Sequence, residues 1–255
     1  NNALEQLLYN RLDLFFESVK EKNLEQAVTD VLDPQMTSEF VRGMLFSEWI
    51  AARMTKSPDL LVQLIETKDL VRSYSDNEYP HKIDLAATGL TSEADIKRIL
   101  LEVKLRESIR IAWRDLNRRA PLNETLTDLS LLADACIEKA LEPVYSACCE
   151  SFGTPMDHHG RPQQMIVLGM GKLGAKELNF SSDIDLIFVY PQAGETNGQR
   201  CITNEEFFTK VCRRFIKMFD AASHESNFYR VDTRLRPFGD GGPLVMSAAA
   251  FEAYY

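Results

Sequence analysis

Glycine divides this chain more sharply than any other residue. Of its 12 glycines, only Gly43 and Gly89 precede residue 150. A residue without a Cβ weakens helix interiors and serves tight turns and close approaches. The glycine-poor part can therefore be built of long helices, while the remainder needs short elements joined by turns. The apolar pattern agrees. Leu126, Leu129, Ala133, Cys136, Ala140 and Val144 recur at helical steps between Asn123 and Glu150, which puts them on one helix face. Ile96, Leu100 and Val103 do the same between Thr91 and Asn117, behind a Ser92/Asp95 capping box. Leu4–Lys20 and Thr37–Met54 are further helix candidates, and the polar stretch Arg72–His81 reads as a loop.

After residue 151 the runs shorten. Gln164–Leu168, Ile184–Tyr190 and Phe228–Leu235 read as strands. Thr203 and Glu206 frame a second capping box, followed by Phe207, Val211, Phe215 and Met218 at helical spacing, and another helix is expected from about Ser247. The expected fold class is α+β and mostly helical. Residues 1–150 form a helical region and 151–255 an α/β core, which is expected to continue past the last residue given.

Charge narrows the partners. The net charge of −9 is uneven, with −8 on residues 1–150 and −1 on residues 151–255. Excess acid disfavours a nucleic-acid partner, whose phosphates require Lys and Arg. No apolar run approaches the roughly 18 residues of a membrane span, so no membrane partner is expected. The first residues lack an export-signal pattern. Five cysteines, two of them the adjacent Cys148 and Cys149, read as reduced thiols, and a cytoplasmic location is expected.

Three segments carry chemistry. Gly169-Met170-Gly171-Lys172-Leu173-Gly174 matches G-x-G-x-x-G after a strand. Only Ala175 to Ser182 separate it from the next strand, whereas a parallel crossover takes about a dozen residues. The strands should instead be antiparallel or joined by a short helical turn, and a dinucleotide site is not expected. What remains is a glycine turn with one Lys, suited to a phosphate or simply a tight turn. Asp183 and Asp185, after Ser181-Ser182, leave one face of a strand. Two adjacent carboxylates repel, and a magnesium ion bridging to substrate phosphates would relieve that; a solvated acidic strand end is the plain alternative. In Tyr229–Arg236, strict alternation would set Asp232, Arg234 and Arg236 on one extended face. Arg suits phosphate through bidentate contacts; an edge strand with an internal ion pair is the bland reading. Taken together, the segments point to metal-assisted phosphoryl or nucleotidyl transfer. His158-His159 reads as solvated, and Trp113 as a core anchor between helices.

GMGKLGAKELNFSSDIDLIF followed by FYRVDTRLRPFGDGGPLV resembles the bifunctional glutamine synthetase adenylyltransferase/adenylyl-removing enzymes of the DNA polymerase beta-like nucleotidyltransferase superfamily. Asn179-Phe180-Ser181-Ser182 and Arg236-Pro237-Phe238-Gly239-Asp240-Gly241-Gly242-Pro243 look like the amino-terminal, adenylyl-removing half. The resemblance implies a nucleotidyltransferase core with a mixed sheet. It implies that Asp183, Asp185 and Asp232 are catalytic and bind Mg2+, two ions being expected. Gly169, Gly171, Lys172 and Ser182 would approach the nucleotide phosphates, with Arg234 or Arg236 on the attacking phosphate. Gly171-Lys172 stands where many members have Gly-Ser, which leaves the pairing of donors with phosphates open. The implied reaction removes AMP from an adenylylated tyrosine of glutamine synthetase with inorganic phosphate, releasing ADP, under a PII signalling protein. Adenylyl transfer from ATP, and a non-catalytic docking module, are the alternatives.

Overall fold

The computed structural model describes residues 2–219 and 228–255. Helices come first: α1 (Asn2–Glu21), α2 (Glu25–Val31), α3 (Pro34–Phe46), α4 (Glu48–Lys56), α5 (Asp59–Glu66), α6 (Glu78–Ala86), α7 (Glu93–Leu116) and α8 (Leu122–Phe152). Strands then mix with helices: β1 (Ile166–Gly169), α9 (Gly171–Gly174), β2 (Ile184–Tyr190), α10 (Asn204–Phe219), β3 (Val231–Asp232), β4 (Val245–Ser247) and α11 (Ala248–Tyr254). The α+β, mostly helical class expected from the sequence is the one observed.

Local chemistry explains most boundaries. The Ser92 hydroxyl accepts from Asp95 N at 3.1 Å and donates to the Asp95 carboxylate at 2.7 Å, and Thr203 accepts from Glu206 N at 3.2 Å; the hydroxyl half of each expected capping box forms. Thr37–Met54 is not one helix. Ser47 is extended (φ −129°, ψ 106°) and its hydroxyl accepts from Ile50 N at 3.1 Å, so an N-cap breaks the apolar stripe into α3 and α4. The expected loop Arg72–His81 gives way to helix at Glu78.

The contacts gather into two compact units: residues 1–75 with 105–128, and residues 76–104 with 129–255. The first is held by Phe15, Phe40, Met44, Leu61 and Trp113, all essentially inaccessible. Trp113 is the core anchor expected, its indole donating to Glu39 at 3.0 Å. A polar layer lies beside this core. Arg110, fully buried, donates to Asp128 at 2.9 Å and to the backbone carbonyls of Asp69 and Arg72 at 3.0 and 2.8 Å, with Tyr74's ring centroid 3.3 Å from the guanidinium carbon.

The second unit contains the sheet. β2 is central, antiparallel to β1 and parallel to both β3 and β4. Six of its seven residues are buried. Phe207, Phe208, Val211 and Phe215 of α10 are inaccessible, with the Phe215 ring edge-on to Phe188 of β2 at 5.7 Å. The antiparallel β1–β2 pair joined through one helical turn matches the expectation from the short connection. The third strand is much shorter than Phe228–Leu235. Asp232 Oδ1 accepts from Arg234 N at 2.8 Å and Thr233 O from Arg236 N at 3.1 Å, an Asx turn that bends the chain straight after the strand.

Candidate active site

The register of β2 and β3 creates the site. Ile184 pairs with Val231 and Asp185 with Asp232. Parallel neighbours in register point to one face, so two carboxylates stand side by side. Asp183 sits on that face one repeat earlier, beside Arg230, whose carbonyl accepts from Ile184 N at 2.9 Å.

The glycine turn closes on the same carboxylates. Met170 N donates to the Asp185 carbonyl at 2.8 Å. Gly171 has φ +53°, and a Cβ there would lie 2.6 Å from Asp185 Oδ2, a distance no real side chain tolerates. Gly174 is held as tightly from below: a Cβ would lie 2.4 Å from the Gly169 carbonyl oxygen. Lys172 is exposed on the first turn of α9. Ser182 closes the approach to β2, its hydroxyl donating to Asn179 Oδ1 at 2.5 Å.

The three carboxylates differ electrostatically. Burial, then the charges of Asp232 and Asp183, push the Asp185 carboxyl above its ordinary range. The Asp232 carboxyl is held below it by hydrogen bonds from Arg234, whose Nε lies 3.0 and 2.9 Å from the two oxygens. Asp183 meets Arg230 Nε at 2.5 Å. Among the described residues the Asp185 carboxylate accepts no hydrogen bond. Arg236 turns elsewhere: its Nη1 donates to the carbonyl and hydroxyl oxygens of Thr233 at 2.8 and 2.9 Å, and its side chain is only 10% exposed.

An oxygen-only set with one crowded carboxylate has the chemistry of a hard divalent-cation site. As the side chains stand, no three His, Cys, Asp or Glu residues among those described converge on one cation position. Two of the three carboxylates, Asp183 and Asp232, hold guanidiniums instead.

Two contributors escaped the sequence reading. Arg230 was legible in principle, two residues before Asp232 and on the same face. Lys104 of α7 was not: its ammonium donates to the Phe228 carbonyl and lies 4.3 Å from the Tyr229 ring centroid, tying down the lead into β3 across 124 residues of sequence. An open cleft of about 350 Å³ lies between Ile137 and Leu141 of α8 and Val167, Leu173 and Leu186. Gly169 at the start of the glycine turn also lines it, while Leu186 faces away from Asp185 by strand alternation.

The profile described as glutamate-ammonia ligase adenylyltransferase matches residues 37–255. The chain belongs to this family. The bifunctional glutamine synthetase adenylyltransferase/adenylyl-removing enzyme of Pseudomonas aeruginosa is 46% identical over 219 residues, 85% of this chain and 22% of that protein. Proteins of the same description from Nitrosococcus oceani and Shewanella woodyi are 42% and 37% identical over 97% and 100% of this chain, covering 25% and 26% of their own lengths. The chain thus spans about a quarter of these family members. No helix among the described residues is long and apolar enough to cross a membrane.

Proposed function

We propose that this chain is the adenylyl-removing nucleotidyltransferase part of a bifunctional glutamine synthetase-modifying enzyme of the cytoplasm. It would take AMP from an adenylylated tyrosine of glutamine synthetase by phosphorolysis, releasing ADP. The observation that carries the reading is the in-register pair Asp185 and Asp232, with Asp183 on the same face and the glycine turn pressed against Asp185. Family membership supports the substrate. The motifs around Asn179–Ser182 and Arg236–Pro243 favour the removing half by resemblance, and regulation by a PII protein follows from the same resemblance.

The chemistry suits the residues. Attack of phosphate on a phosphodiester joins two anions, and Mg2+ bound by Asp183, Asp185 and Asp232 would supply the neutralising charge. The chain's own part is positioning. The fixed β2–β3 register holds the carboxylates, and the turn from Gly169 to Lys172, with Ser182, confines the nucleotide phosphates. Arg234, whose guanidinium lies on Asp232 and whose side chain is largely exposed, would hold the attacking phosphate, while Arg236 braces the turn that presents it.

Adenylylated glutamine synthetase incubated with the protein, phosphate and Mg2+ should release ADP. The double substitution Asp183→Ala, Asp185→Ala should abolish that release while leaving the circular dichroism spectrum unaltered; retained release would remove the carboxylates from the mechanism. The description of the matched family itself names adenylyl transfer, which favours one second reading: AMP incorporation from ATP into glutamine synthetase, with no ADP released from the adenylylated form, would decide for it.

A further inference from the structure

Arg230 and Arg234 differ from every other arginine near the site. Each holds its acidic partner through the guanidinium while the arginine side chain itself lies largely in solvent. Asp183 and Asp232 are 34% and 14% exposed, whereas the arginine side chains they hold are 73% and 72% exposed. Arg236, by contrast, has only 10% of its side chain exposed and is fixed to Thr233. The carboxylate face holds Asp183, Asp185 and Asp232 against two guanidiniums, one negative charge in surplus, and the surplus rests on Asp185.

We propose that Arg230 and Arg234 are exchangeable counter-ions: each holds a carboxylate while no divalent cation is bound, and entry of the cation releases both guanidiniums to an incoming phosphate. The proposal rests on the reading of Asp183, Asp185 and Asp232 as the cation's ligands. Its energetics follow from exposure. An ion pair with one end in water shifts an equilibrium by no more than about fivefold, so a dication shared among three carboxylates displaces it. One dication also turns the face from one negative charge in surplus to one positive. The site then attracts anions only after the cation has entered, which sets a binding order of cation first and phosphate second. Geometry favours release toward phosphate, because Arg230 and Arg234 flank Asp232 at two residues on either side and a guanidinium forms bidentate contacts with phosphate oxygens as readily as with a carboxylate.

The test uses Mn2+, followed by its paramagnetic resonance signal, and inorganic phosphate, followed by calorimetry, on the full chain. Arg230→Met and Arg234→Met should each bind Mn2+ about two- to fivefold more tightly than the unsubstituted protein. Once loaded with Mn2+, each should bind phosphate more weakly. Arginines that merely brace the carboxylates would act in the opposite sense, so unchanged or weaker Mn2+ binding overturns the exchange. Tighter Mn2+ with unaltered phosphate affinity overturns the release to phosphate. Arg234→Lys keeps the charge but loses the fork that spans both Asp232 oxygens. As a counter-ion of the same charge it should bind Mn2+ within about twofold of the unsubstituted protein; tightening as large as that of Arg234→Met would show that charge does not compete with the cation and would overturn the exchange. Asp183→Asn together with Asp185→Asn should lose Mn2+ binding; unchanged binding there would sink the cation-site reading itself rather than the exchange alone.

Discussion

Gly171 occupies a position that no other residue type can fill without moving Asp185. Its left-handed backbone and the 2.6 Å from a hypothetical Cβ to the Asp185 carboxylate make Gly171→Ala a displacement of one site oxygen. We expect that variant to lose at least about tenfold in turnover, a misplacement effect, with a stability cost of only about 1 kcal/mol; steady-state rates set beside a urea melt would separate the two. Asp157 illustrates the opposite case, a carboxylate whose role is structural. It accepts from Arg161 N at 2.8 Å, Arg161 Nε at 2.7 Å and His159 N at 2.9 Å. Led by the Arg161 backbone bond, these contacts depress its pKa from 3.8 to about 2. A depressed folded-state pKa contributes stability that is present above the unfolded value and lost as pH falls through the folded one. Stability should therefore decline between pH 4 and pH 2 more gently in Asp157→Asn than in the unsubstituted protein. Equal slopes in acid-titrated melts would contradict this. Among candidate site residues, Asp183 and Asp185 were legible from sequence as a period-two pair, whereas Asp232 joins them through the β2–β3 register, and the alternation that would have set Arg234 and Arg236 beside it ends at the turn. Lys104 was not legible, because nothing local marks a lysine that will meet a carbonyl 124 positions away.

Elements were legible in proportion to how far their pattern ran uninterrupted. α7 and α8 announced themselves through long stripes and, for α7, a cap. α3 and α4 read as one because a helical stripe survives the single extended residue Ser47, and a serine inside an apolar pattern does not by itself declare a cap. The third strand read too long because alternation continues through Thr233–Arg236 although Asp232 has already begun a turn. What sequence alone could not supply is the buried charge on α7. Arg110 is inaccessible and placed against Asp128, Tyr74 and two carbonyls of the segment that follows α5. Arg110→Met removes the guanidinium from opposite a buried carboxylate and should cost about 3–5 kcal/mol. Arg98→Met, which breaks the exposed i,i+4 pair with Glu102 on the same helix, should cost less than about 0.5 kcal/mol. Urea midpoints of the two variants give the comparison, and similar midpoints would refute the assignment of Arg110 to a structural role.

At the scale of the whole molecule, the packing around the site leads us to expect a fold that forms without a metal. β2 is packed against α10 and paired on both sides by backbone hydrogen bonds, and the two outer carboxylates already have arginine partners. Chelation should therefore stop turnover while moving the melting temperature by less than about 2 °C, the response to well under 1 kcal/mol in a chain of this size. A collapse of the melt on chelation would mean that the cation is structural, as in small zinc domains. Neither compact unit is one stretch of chain: residues 105–128 belong with 1–75, and residues 76–104 with 129–255. A recombinant fragment starting at Asp76 would carry Ile109 and Trp113 without the helices that bury them. No single cut, whether by a protease or by a cloning primer, frees either unit intact, and so the first unit cannot be exchanged between relatives as a cassette without carrying the second half of α7 and the start of α8 with it.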